Sequence, residues 1–118
     1  MASRQTLVGS SLFNVLWEKN MKARSMAVDA GAATVTVGVD WPPVVLIDPG
    51  GGAVSALLPA EASAEHQLFV IFNTADAAET LTVKEDAGTT TIVTVAQNEG
   101  CILFCDGTTW HGIVGGIT

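Results

Sequence analysis

From about residue 33 onward the chain is written in short apolar runs separated by turn residues. Thr34-Val35-Thr36-Val37-Gly38-Val39 alternates strictly, so a strand here would place Val35, Val37 and Val39 on one face. Asp40-Trp41-Pro42-Pro43 ends that run, and Trp41 reads as an anchor packed over the end of a sandwich. Val44-Val45-Leu46-Ile47 is a second run, closed by Asp48-Pro49-Gly50-Gly51-Gly52, and Val54 to Leu58 a third, closed by Pro59. Residues 60–66 suit one or two helical turns. Gln67-Leu68-Phe69-Val70-Ile71-Phe72 is apolar without alternation, which predicts a strand buried on both faces. Thr80-Leu81-Thr82-Val83-Lys84 and Thr89 to Val95 alternate again. Cys101-Ile102-Leu103-Phe104-Cys105 and Thr108 to Val114 flank Asp106-Gly107, a pair that predicts a two-residue hairpin.

About eight short strands at this spacing predict an all-β fold, an antiparallel sandwich or barrel, rather than one with parallel crossovers. No fixed internal period marks a solenoid. The composition agrees: Val occurs 14 times and Thr 13 times in 118 residues, mostly after residue 33, and β-branched side chains fit a pleated surface. With 48% hydrophobic and 14% charged residues, the chain has enough apolar surface to close a core, which excludes intrinsic disorder. No run of about 20 apolar residues offers a membrane span.

Charge changes the picture at the N-terminus. Residues 1–24 hold Arg4, Lys19, Lys22 and Arg24 against Glu18 alone, whereas residues 25–118 hold Lys84 against eleven acids. The acidic bulk argues against nucleic acid as a partner, because displacing phosphate counterions takes a basic patch. The basic stretch also carries Leu7, Val8, Leu12, Phe13, Val15, Leu16 and Trp17, and bulky apolar groups at a surface mark an interface. The domain reading is therefore an N-terminal arm over 1–30 and a β-sandwich body over 31–118. A helix over roughly 11–25, with Phe13, Trp17 and Met21 on one face, and an extended arm compete for the leader. Gly9, Ser10, Ser11 and Asn14 interrupt the apolar stretch, and charged residues stand where a cleavage region would be. Both argue against a secretion signal.

Candidate chemistry is sparse. Cys101 and Cys105 on one strand would lie roughly 13 Å apart at the usual rise, beyond disulfide reach, and read as small core hydrophobes. His66 and His111 lack zinc-ligand spacing, so no metal or other cofactor is expected. Asp48, Asp76 and Asp106 could serve calcium only by meeting in space, since none lies in an Asp-x-Asp-x-Asp loop. Trp110 reads as a core or interface aromatic, with a sugar-stacking platform as the rival. No spacing of nucleophile, acid and base points to an enzyme.

Leu46-Ile47-Asp48-Pro49-Gly50-Gly51-Gly52-Ala53-Val54, Leu58-Pro59, Phe72-Asn73-Thr74-Ala75-Asp76-Ala77-Ala78-Glu79-Thr80-Leu81-Thr82-Val83 and Cys105-Asp106-Gly107-Thr108-Thr109-Trp110 carry a resemblance. Through them residues 45–112 resemble a β-domain of tailed-bacteriophage virion surfaces, found in head decoration (cement) proteins and in head or tail fibre proteins. The resemblance implies a virion scaffold that is homotrimeric in many members, and the small size favours a cement protein on the outer capsid surface. Its partner would be the major capsid protein. The leader does not align with any motif of that family. Its assignment to the capsid rests on physics, with Leu12, Phe13, Leu16 and Trp17 buried and Arg4, Lys19, Lys22 and Arg24 paired with acidic groups. The competing reading is a fibre module that binds a receptor or glycan.

Overall fold

The computed structural model describes residues 22–116. They form nine strands: β1 (Ser25–Asp29), β2 (Val35–Thr36), β3 (Val44–Asp48), β4 (Val54–Leu57), β5 (Leu68–Asn73), β6 (Leu81–Lys84), β7 (Thr91–Val95), β8 (Glu99–Cys105) and β9 (Trp110–Gly116). A single 3-10 turn, Glu61–Ser63, stands where one or two helical turns are predicted. The strands make a five-stranded sheet, ordered β1-β3-β5-β8-β9, and a four-stranded sheet, ordered β2-β4-β6-β7. The all-β sandwich class is thus present, as two packed sheets rather than a closed barrel.

The pairing inside the sheets differs from the antiparallel expectation. β1, β3 and β5 are mutually parallel, as are β2, β4 and β6. Successive strands alternate between the two sheets, so the first six strands wind as three stacked coils. The turns that resemble hairpin turns in sequence instead carry the chain from one sheet to the other. Only β7, β8 and β9 add antiparallel pairs. Ser25 stands beside Val44 and Val44 beside Val70, so one repeat is 19 residues and the next is 26. Unequal repeats hide the coil from any search for a fixed period.

Three local expectations also change. Ser25–Asp29, inside the stretch 1–30 assigned to the arm, is the edge strand of the larger sheet, and Lys22-Ala23-Arg24 leads into it without helix. The remainder of the predicted leader helix lies outside the described residues. Val35 and Val37 point inward as expected, but Val39 does not. A turn closed by the Trp41 N–H on the Gly38 carbonyl takes the chain off the sheet first, and Val39 is exposed. Asp106-Gly107 is not a two-residue hairpin. Cys105 pairs with Trp110 across a four-residue loop, and only Gly107 there has positive φ.

The core lies between the sheets. Val45, Ile47, Phe69, Ile71, Leu103 and Cys105 from the larger sheet meet Ala56, Leu81, Val83 and Val95 from the smaller, all at zero exposure. Trp41 packs against this cluster as the sequence predicts. β9 also lies against β7, which brings the two sheets together along that side. Coil stacks on coil closely: a Cβ on Gly50 would fall 2.8 Å from both Asp29 Oδ1 and the Gly31 nitrogen of the preceding turn. Among the described residues, no helix is long and apolar enough to cross a membrane.

Candidate functional site

Of the eight residues predicted to bind a partner, Arg4, Leu12, Phe13, Leu16, Trp17 and Lys19 lie outside the described residues. Lys22 and Arg24 are described and exposed, just ahead of β1, and neither forms an ion pair with a described carboxylate. The Arg24 carbonyl accepts the Val44 N–H at 3.3 Å, which ties the exit of the leader to the corner of the larger sheet.

The most distinctive surface is the outer face of that sheet. The strand period of two sends Phe69, Ile71, Cys101 and Leu103 inward and leaves their neighbours outward. Register lines those neighbours up in rows across the strands. One row runs Ser25, Val44, Val70, Ile102, Ile113, and the next Ala27, Leu46, Phe72, Gly100, Gly115. Leu68, Phe104 and His111 form a shorter third row. Ile113 is 67% exposed, Leu68 47%, Ile102 46%, Phe72 42% and Phe104 40%. The Phe72 ring lies over Gly100, where a Cβ would come within 2.6 Å of it, and His66 stacks on Phe104 with ring centroids 6.5 Å apart. A shallow groove of about 330 Å³ runs between Val70, Phe72, Ile102 and Ile113.

The smaller sheet is different: its outward positions include Thr36, Ser55, Thr82, Lys84 and Thr94, an ordinary solvated face. The missing alternation in residues 67–72 was the signal for the apolar face. It predicts burial on both sides, whereas β5 buries only Phe69, Ile71 and Asn73 in the described residues. The other side is apolar but open.

The titratable groups serve mainly the turns. The Asp106 carboxylate accepts N–H bonds from Thr108 (2.8 Å) and Thr109 (2.7 Å) and meets His111 Nε2 at 2.9 Å. These contacts, the imidazole first, hold its pKa down at about 2. Glu85 is likewise held at about 2 by the Thr89 N–H, the Thr89 hydroxyl and the Thr90 N–H. Cys101 and Cys105 are free and buried as expected, and burial pushes the Cys101 thiol up to about 11.

Of the three aspartates considered for calcium, Asp48 and Asp76 do approach one another. With Glu79 they offer carboxylate oxygens within 4.8 Å, and Glu79 Oε1 is enclosed without a hydrogen-bond partner. Asp106 is elsewhere, engaged with His111. Glu61, Glu85 and Asp86 make a second such group, although the turn's own N–H groups already occupy Glu85.

Trp110 is 3% exposed, donates its indole N–H to the Pro59 carbonyl at 2.9 Å and stacks on Phe69. A buried indole cannot stack on a sugar, so the platform considered for a glycan-binding fibre module is not available on this face. No protein-family model, curated protein or solved structure matches the chain.

Proposed function

We propose that this chain is a head decoration protein of a tailed bacteriophage, which cements neighbouring capsid subunits on the outer surface of the shell. The observation that carries the reading is the division of the chain. A basic leader rich in bulky apolar groups precedes an acidic body whose described residues close a core between their own two sheets. Such a body needs no catalytic or cofactor chemistry to act; it has to be rigid, and it has to be held in place.

In this reading the leader holds it. Leu12, Phe13, Leu16 and Trp17 would bury against capsid subunits at roughly 1.5–3 kcal/mol each before ordering costs. Arg4, Lys19, Lys22 and Arg24 would face acidic capsid groups, an attraction that weakens with salt. Three copies would meet at a three-fold or quasi-three-fold position, and several arms on one body add avidity. The mechanism is mechanical: each bridged pair of subunits resists the outward pressure of packaged DNA.

Quantitative mass spectrometry of purified virions tests the assignment. A cement protein is expected in numbers comparable with the capsid subunits. A handful of copies per particle would favour a fibre module, and absence from the particle would end the virion reading.

A further inference from the structure

We propose that the outer face of the five-stranded sheet is where copies of this chain associate, three sheets turning the same apolar face toward a common axis. The inference deepens the decoration reading and rests on it for the number three; the face itself is argued from the structure.

The central rows of the face are free of charge across all five strands. Asp29 and Asp48 lie at one end, beyond Ala27 and Leu46, and His111, with the Asp106 carboxylate 2.9 Å from its Nε2, at the other, beside Phe104. Residues 22–116 carry Lys22, Arg24 and Lys84 against eleven carboxylates, so two copies repel over most of their surfaces. This face is where acidic bodies can approach without setting like charges together. Its exposed side chains amount to on the order of 500 Å², at the upper end of what monomers leave in water. The half-buried Val44, Leu46 and Val70 extend it toward the roughly 800 Å² per partner of a stable complex. Around a three-fold axis one side of this patch meets the other side of a neighbour's, a heterologous contact that an apolar, uncharged patch allows. The leader is the poorer occupant. Its four cations would find no carboxylate in the central rows. At the end where the leader enters, the carboxylates are rim groups: Asp40, which shares a shallow pocket with Arg24 and Ser25, and Asp106, already paired with His111. Asp29 and Asp48 lie at the opposite end.

The test uses the full-length chain and light scattering after size exclusion. The wild type is expected at three times 12.2 kDa. Ile102→Glu and Ile113→Glu, made separately, should each fall threefold in mass while keeping the circular dichroism and cooperative melting of the wild type. Ile113 is on an edge strand and 67% exposed, so its variant should fold even if Ile102→Glu does not. Thr94→Glu, on the outward face of the smaller sheet, should stay trimeric. The full-length variant with Leu12, Phe13, Leu16 and Trp17 all changed to Ser should also stay trimeric. A monomeric wild type overturns the inference, and so does a trimer that survives Ile113→Glu. Loss of the trimer in the leader variant overturns it too, because the leader would then be what covers the face. A stable trimer that never binds phage heads leaves this inference standing and removes the decoration reading.

Discussion

At the end of β5, Asn73 takes the inward position that Val28 and Ile47 hold in the two preceding coils. It is 2% exposed, and both of its amide donors and its amide oxygen are paired. Nδ2 donates to the Glu79 carbonyl at 2.8 Å and the Val95 carbonyl at 3.0 Å, while Oδ1 accepts the Ala75 N–H at 2.9 Å. One side chain thereby joins the turn after β5 to the end of β7, where winding gives way to antiparallel pairing. Asn73→Ala should strand these groups and cost about 2–4 kcal/mol, given the usual penalty for buried unpaired polar groups; urea unfolding measures it. Trp110→Ala should cost about 3–5 kcal/mol as a large core truncation, again read from urea unfolding. Glu85 and Asp106 both contribute to acid sensitivity. Both have folded pKa values near 2 against ordinary values of 4.5 and 3.8, so the unfolded chain binds more protons between those limits. Their stabilisation is complete above about pH 5 and declines as pH falls toward 2. Thermal melts should show Tm dropping through that window, and Glu85→Ala with Asp106→Ala should flatten the drop.

Among the elements, β2 to β9 were legible because alternation or apolar runs between turn words define a strand whatever its partner. β1 was not: Ser25-Met26-Ala27-Val28-Asp29 turns only Met26 and Val28 toward the core, half-buried, and it follows a basic stretch. Parallel pairing was hidden for a different reason. Asp48-Pro49-Gly50-Gly51-Gly52 has the composition of a hairpin turn, but it crosses between sheets and stacks on the turn before it. The stacking gives its glycines unequal roles. Gly50 has φ +77° and no room for a Cβ, whereas nothing lies within 4 Å of a Cβ built on Gly52. Gly50→Ala should destabilise by about 1–3 kcal/mol from strain and collision, while Gly52→Ala should be near neutral; paired thermal or urea melts separate them. The apolar outer face was half legible. The run 67–72 announced a strand wanting cover on both sides, but one chain's sequence does not say that the second cover must come from outside the body.

At the scale of the whole molecule, two surfaces are proposed to carry separate tasks. In the proposal the uncharged sheet face joins copies to one another, and the basic leader joins the assembly to an acidic shell. Their responses to salt should differ. Head binding, judged by co-sedimentation, should weaken as salt rises because exposed charge pairs are screened. Association through the apolar face should hold or strengthen, most clearly in sulfate. The role proposed for the leader rests on charge and bulk, since no spacing of its residues specifies a partner. The most direct measurement is occupancy on phage heads lacking this protein, comparing the full chain with residues 25–118. The expected result is that the full chain saturates the heads, while the shortened chain stays folded, remains an assembly of three and leaves the heads bare. Equal occupancy by the two would contradict it.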